Sequence, residues 1–195
     1  MRTVTTTIDT TPDLSPVSDG RALRDAYSCF PSGVVAVCCE QRDGDSTTLI
    51  GMAASSFTTV SLDPPLVSVC VQNTSTTWPR IRTAPAIGVS VFAGDQIELC
   101  KQLAGSSEHR FDGITPLSTD RGAVFVPDAA AHLSCTIHNE IQAGDHTVVL
   151  LEIETLRADP DIEPLVFHAS TFRDRKSGSA GMPRPTHSSR MPSSA

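Results

Sequence analysis

The chain has 195 residues, 39% of them apolar and 19% charged, with a formal net charge of −7 and an isoelectric point near 5.2. That is enough for one domain of ordinary size and too little for two comfortable ones, and the acidity excludes a broadly basic surface for nucleic acid. The longest apolar runs, such as VVAVCC at 34–39, fall far short of the ~18 residues a membrane-crossing helix needs.

Residues 1–20 are rich in Thr, Pro, Ser and Asp, and 173–195 repeat that composition, so both ends read as disordered tails around one folded region, 21–172. Ser18 or Asp19 is placed to cap a short helix through RALRDAYSCF, with Leu23, Ala26, Tyr27 and Phe30 on one face and Pro31 as its stop. The β-branched run at 34–39, the Asp-Gly turn in RDGDS and the extended segment at 47–51 predict a hairpin. Residues 66–71 and 87–92 are two further strands. Short helices are expected near 75–82 and 96–103, the second capped by Asp95. Leu133, Cys135 and Ile137 alternate with polar residues as a half-exposed strand should, and HTVVLLEIETL (146–156) and LVFHASTF (165–172) complete the set. Many strands and few helices imply a mainly β protein, its antiparallel sheet closed or nearly closed into a barrel.

Six cysteines do not make a disulfide framework in a chain of this length without an apolar leader, so free thiols and a cytoplasmic location are expected. With no CxxC, and no histidine spaced from a cysteine as zinc requires, no metal site is expected.

Four stretches carry candidate chemistry, each with a plainer reading beside it. In GMAASSFTTVSLDPPL (51–66), Ala53, Ala54, Ser55 and Ser56 leave backbone amides open to a flat ring or a phosphate; equally, small residues accommodate a neighbouring element. In FPSGVV (30–35), Ser32 and Gly33 form either a ligand contact or a simple helix-to-strand turn. In QNTSTTW (72–78), Asn73, Thr74, Ser75 and Thr76 suit an anion, with Arg80 and Arg82 to add charge, whereas a helix cap needs only one of them. In AGDHTVVLLEI (143–153), His146 lies between an acid and a hydroxyl at the mouth of a strand, as a ligand-polarising group or a structural one.

In this order, FPSGV at 30–34, GMAASSFTTVSLDPPLVSVC at 51–70, the hydroxyl loop at 73–76, RFDGI at 110–114 and AGDHTVVLLEI at 143–153 resemble the short-chain flavin reductase family, over about residues 21–172. The resemblance implies a split β-barrel, Greek-key-like, with a few short helices. It implies an NAD(P)H:flavin oxidoreductase that takes hydride from NADH or NADPH onto FMN or FAD and supplies reduced flavin to a partner monooxygenase. It implies a homodimer with flavin near the subunit interface.

Carried onto this chain, the resemblance sets Ser32, Gly33, Val34 and Val35 beside the flavin, and Ala53, Ala54, Ser55 and Ser56 against its ring edge and ribityl chain. Asn73, Thr74, Ser75 and Thr76 would approach the phosphate, Arg110 and Phe111 would complete that pocket, and His146, as the catalytic residue, and His168 would face the nicotinamide. Three departures stand out. Ala53 and Ser32 replace frequent threonines; HASTF at 168–172 replaces H-x-G-x-Y; and the hydroxyl loop has no lysine, leaving the phosphate to Arg80, Arg82 or Arg110. The alternatives are a non-catalytic flavin-binding split barrel, should HASTF not accept nicotinamide, and an oxidase of pyridoxamine-phosphate type, for which no basic cluster is evident.

Overall fold

The computed structural model describes Leu14, Pro16, Val17 and residues 19–44 and 46–173; Ser18 and most of the two expected tails lie outside the described residues. In chain order the elements are α1 (Gly20–Ser28), β1 (Ser32–Gly33), β2 (Val35–Asp43), β3 (Ser46–Ala54), β4 (Thr58–Leu62), β5 (Pro65–Gln72), α2 (Trp78–Ile81), β6 (Ile87–Val91), α3 (Ile97–Ala104), β7 (Leu117–Ser118), β8 (Val124–Phe125), β9 (Ala131–Ala143), β10 (His146–Ala158), β11 (Val166–His168) and β12 (Thr171–Arg173). Gly20 and Arg173, which composition assigned to the tails, thus open α1 and close β12.

Seven strands form one antiparallel sheet in the order β3-β2-β6-β9-β10-β5-β4, and β1-β11-β12 form a smaller one beside it. The large sheet curls into a split barrel. Just before β4, and in line with the β4–β5 register, the Ser56 hydroxyl accepts from the Cys70 amide at 2.9 Å and donates to the Cys70 carbonyl at 3.0 Å on β5. A serine here replaces a missing rung of the ladder.

The barrel interior is filled by alternate residues of its strands, Val37, Val69, Val89, Val149 and Leu151 among them, and Trp78 and Ile81 of α2 pack against that core. A second core lies on the other face of β2, where Val34, Ala36 and Cys38 meet Phe92, Leu165 and the α3 residues Cys100 and Leu103. Burial on both faces explains why 34–39 is an unbroken apolar run rather than an alternating one. Gly88 is obligatory on packing grounds: a Cβ there would lie 2.1 Å from the Val124 carbonyl oxygen.

Three local expectations change. Asp19 caps α1, accepting from the Arg21 and Ala22 amides at 2.9 and 2.8 Å, but Asp95 does not cap α3. Gln96 stands there instead, its amide tied to the Ala93 N–H and the Pro127 carbonyl. The helix expected at 75–82 contracts to Trp78–Ile81, because three hydroxyl residues precede it and a proline sits in its first turn. The LVFHASTF strand is a hairpin, β11 and β12, turning at Ala169 and Ser170, whose φ angles are +50° and +57°.

Candidate functional site

β2 and β3 pair so that Val35 faces Ala54 and Cys38 faces Gly51. The end of β2 that follows Ser32 and Gly33 therefore meets the end of β3 that leads into Ser55 and Ser56. Gly33 and Ser32 pair in turn with Val166 and Phe167, which brings His168 to the same end. The structure thus gathers Ser32, Gly33, Ala53, Ala54, Ser55, Ser56 and His168 around one end of the β2–β3 ladder. Val34 and Val35 are there too, but their side chains are 4% and 1% exposed and serve the two cores, so only their backbone is available to a ligand.

Three residues back along β3, at about 3.3 Å per residue, lies a cavity of about 240 Å³ lined by Gly51, Thr76, Thr77, Arg80, Ser107, Arg110 and Phe111. Arg110 is its fixed point. Its Nη1 donates to the Gly51 carbonyl at 2.7 Å and to Thr77 Oγ1 at 2.9 Å, and its Nε donates to the Gly105 carbonyl at 3.0 Å. All three acceptors are neutral, so the guanidinium charge is held in place without being cancelled. Partial burial pulls Arg110 down from its ordinary value, with Cys38 acting the other way, and an arginine remains cationic regardless. A fixed, uncompensated cation beside the hydroxyls of Thr76, Thr77 and Ser107 is chemistry suited to a phosphate.

The loop carrying Arg110 is itself pinned. Gln102 of α3 donates to the carbonyls of His109 at 3.1 Å and Asp112 at 2.8 Å. Phe111 packs against Gly51, where a Cβ would come within 2.8 Å of its ring and 2.5 Å of Cys38 Sγ. The small-residue stretch at 51–56 therefore has structural causes: Gly51 makes room for Cys38 and Phe111, Ser56 bonds to Cys70, and Ala53 and Ala54 pack against the two cores, leaving Ser55 exposed.

The hydroxyl loop divides. Thr76 lines the Arg110 cavity, but Asn73 is committed elsewhere: its Nδ2 donates to the Gly144 carbonyl at 3.1 Å, its Oδ1 accepts from Thr147 at 2.9 Å, and its amide donates to Asp145. Asn73 thereby holds the β9–β10 turn, and Ser75 accepts from the Trp78 amide at 3.2 Å as a local cap. Thr74 is exposed and lines neither this cavity nor the hollow that Asn73 and Ser75 share with Trp78 and Glu140. Thr77, at one end of this run of hydroxyls, also lines the cavity and accepts from Arg110, a role its place next to the helix does not signal in the sequence. Of Arg80, Arg82 and Arg110, the first and last line the cavity, while Arg82 pairs with Glu140 at 2.6 Å.

His146 opens β10, its Nδ1 2.8 Å from Asp145 Oδ1. The hydrogen bond and charge of His146 hold the Asp145 carboxyl below its usual value. The ring shares the outer face of β5 and β10 with Cys70 and Gln72, but it does not line the Arg110 cavity. His168 Nδ1 lies 2.9 Å from Arg173 Nη2; because an arginine only donates, Nδ1 accepts and a neutral ring carries its proton on Nε2. Ser170, at φ +57°, occupies the place where the resembling pattern has glycine, and Phe172 keeps an aromatic ring 5.1 Å from Phe167 without a hydroxyl.

A family model described as "Flavin reductase like domain" matches residues 27–176. The NADH-dependent flavin reductase of a Rhodococcus species is 36% identical over 165 residues, 85% of this chain and 92% of that one. The reductase subunit HsaB of a flavin-dependent monooxygenase from Rhodococcus jostii is 27% identical over 154 residues, covering 79% and 77% of the two chains. Among solved structures, the NADH:FAD oxidoreductase SgcE6 of Streptomyces globisporus, in complex with NAD and FAD fragments, superposes with a TM-score of 0.76 at 32% identity, covering 87% of this chain and all of that one. With a family match over most of its length and these relatives, the chain belongs to the flavin reductase family.

Proposed function

We propose that the protein is an NAD(P)H:flavin oxidoreductase that reduces FMN or FAD and passes the reduced flavin to a flavin-dependent monooxygenase. The observation that carries this reading is the strand geometry: the backbone at Ser32–Gly33 and at Ala53–Ser55 meets at one end of the β2–β3 ladder and, about 10 Å back along β3, Arg110 is anchored by neutral groups beside three hydroxyls. A flavin fits that layout, with its phosphate toward Arg110, Thr76, Thr77 and Ser107.

When bound, the flavin supplies the redox chemistry by accepting hydride from the reduced nicotinamide. The chain's residues position the reactants and exclude water. Arg110 anchors one end of the cofactor. Ser32, Gly33 and the 53–56 segment would hold the ring, and His168, whose Nδ1 is taken by Arg173, would have its Nε2–H left to donate to a nicotinamide carboxamide.

We also infer a homodimer and a single folded domain with tails at either end. No residue of α1 is buried, and Tyr27 and Phe30 are 68% and 77% exposed, an apolar surface that a second copy would cover. His146, outward-facing on β10, would face the nicotinamide. All six cysteines are free, which suits a reducing, cytoplasmic setting.

The test is steady-state oxidation of NADH and NADPH by purified protein with and without added FMN or FAD. Flavin-dependent turnover is expected; no flavin-stimulated oxidation with either nucleotide overturns the reading. Flavin binding without turnover would favour a non-catalytic carrier.

A further inference from the structure

Arg110 reaches its cavity from the irregular stretch between α3 and β7. Residues 105–109 of that stretch are exposed throughout, so packing does little to hold them. One residue outside the cavity lining ties the stretch at both ends. The backbone carbonyl of Gln102, in the last turn of α3, accepts from the Gly105 amide at 3.0 Å. Its side-chain Nε2 donates to the carbonyls of Asp112 at 2.8 Å and His109 at 3.1 Å, with the Arg110 carbonyl at 3.4 Å. The Arg110 Nε then donates back to the Gly105 carbonyl at 3.0 Å. This closes a circuit in which the backbone of Arg110 and its guanidinium are both referenced to Gln102. The base of the circuit is firm, because Cys100 and Leu103 bury α3 in the second core.

We propose that Gln102 is a positioning residue for flavin binding, which holds the Arg110 guanidinium where a phosphate meets it and does not touch the ligand. The inference rests on the flavin-reductase reading. Three features argue for it. A side chain that only completed the helix would bond within its own turn, whereas these acceptors lie seven to ten residues further on. The amide offers two hydrogens to three converging carbonyls, so its whole donor capacity is spent on the segment that carries Arg110. It is also neutral. A carboxylate in its place would face carbonyl oxygens and offset the charge of Arg110, and an ammonium would add a second cation; the amide orders the segment and leaves that charge as it is. The Gly51 carbonyl and Thr77 fix the tip of the guanidinium, and Gln102 fixes its root.

Gln102→Met keeps the length of the side chain and removes the donor, and two readings on the full chain test the role. In the flavin-free protein, NMR follows hydrogen exchange of the Arg110 Nε–H, which should be several-fold faster in the variant. In steady state the KM for FMN should rise about three- to tenfold, as loss of a neutral hydrogen bond implies, while the KM for NADH holds. In an Arg110→Ala background the same substitution should add little to the KM for FMN, because it acts through Arg110. A role in stability alone would lower the urea midpoint and leave exchange and KM at their wild-type values. Unchanged exchange, an unchanged KM for FMN, effects that multiply in the double variant, or a wild-type KM in Arg110→Ala alone overturns the proposal. Should Gln102→Met not fold, Gln102→Asn, whose amide stops one methylene short of the carbonyls, carries the same expectations. Failure of the flavin-reductase reading looks different: no flavin-dependent turnover in the wild type, with the Arg110 exchange still reporting on the segment.

Discussion

The Arg110 guanidinium donates to the Gly51 carbonyl at 2.7 Å across 59 residues of sequence, joining the loop after α3 to the middle of β3. That bond closes one wall of the cavity proposed for the flavin phosphate and presents a cation to it. Arg110→Ala should therefore raise the KM for flavin. Charge-assisted hydrogen bonds contribute about 1.5–3 kcal/mol, so the rise should be roughly ten- to a hundredfold. Arg110→Lys keeps the charge but not the fork that reaches Gly51 and Thr77 together, and should fall between. Steady-state KM for FMN and FAD checks both; a wild-type KM in the alanine variant would show that the phosphate lies elsewhere.

Gly51→Ala should be destabilising, because its Cβ would meet Cys38 Sγ at 2.5 Å and the Phe111 ring at 2.8 Å. Overpacking of this kind costs about 1–3 kcal/mol. Cys38→Ala in the same chain removes the nearer obstacle and should recover part of the loss, a coupling that a double-mutant cycle by urea denaturation measures.

These two residues also show how far the sequence could be read. The strand at 34–39, the Asp-Gly hairpin, the α1 cap and the overall barrel follow from local patterns, since period, turn chemistry and capping are written in adjacent residues. Gly51 was not legible as a packing glycine, because its reason lies 13 residues upstream at Cys38 and 60 downstream at Phe111. Asn73 was read as a phosphate contact for the same cause: its partners, Gly144 and Thr147, are more than 70 residues away. The hairpin inside LVFHASTF was hidden because Ala169 and Ser170 carry none of the Asn-Gly chemistry such a turn prefers.

Ser170→Gly should stabilise the protein. At φ +57° a serine holds a backbone conformation that glycine adopts without strain, and left-handed non-glycine residues cost about 1–3 kcal/mol. A gain near the lower end, about 1 kcal/mol after the added freedom of the unfolded chain, should appear as a higher urea midpoint with an unchanged slope. If the turn orients His168, the KM for NADH should shift while that for flavin does not.

The Asp145–His146 contact can be read by titration. The His146 hydrogen bond and charge hold the Asp145 carboxyl below its ordinary value. A depressed carboxylate stabilises the fold above its unfolded value and loses that contribution as the pH falls through the folded one. In His146→Ala the Asp145 carboxyl should titrate at higher pH, followed by NMR of its carboxyl carbon. An unmoved titration would mean that the pair does not form in solution.

The four buried thiols give the opposite sign. Burial pushes Cys38 and Cys135 up to about 12, and Cys39 and Cys100 up to about 11, against 9.0 for an unperturbed thiol. A group raised in the folded state favours folding fully below its unfolded value, and that contribution is lost as the pH rises toward the folded one. Stability should therefore fall as the pH rises from about 9 toward 12, and Cys135→Ala, which removes one such thiol, should flatten that fall. Below pH 9 the same burial makes these groups unreactive, because the thiolate is the nucleophile. A disulfide reagent should titrate Cys29 and Cys70, the two exposed thiols, promptly in the native protein and the other four only on unfolding. Prompt labelling of Cys38 would mean that the core between β2 and α3 opens far more readily than its packing implies.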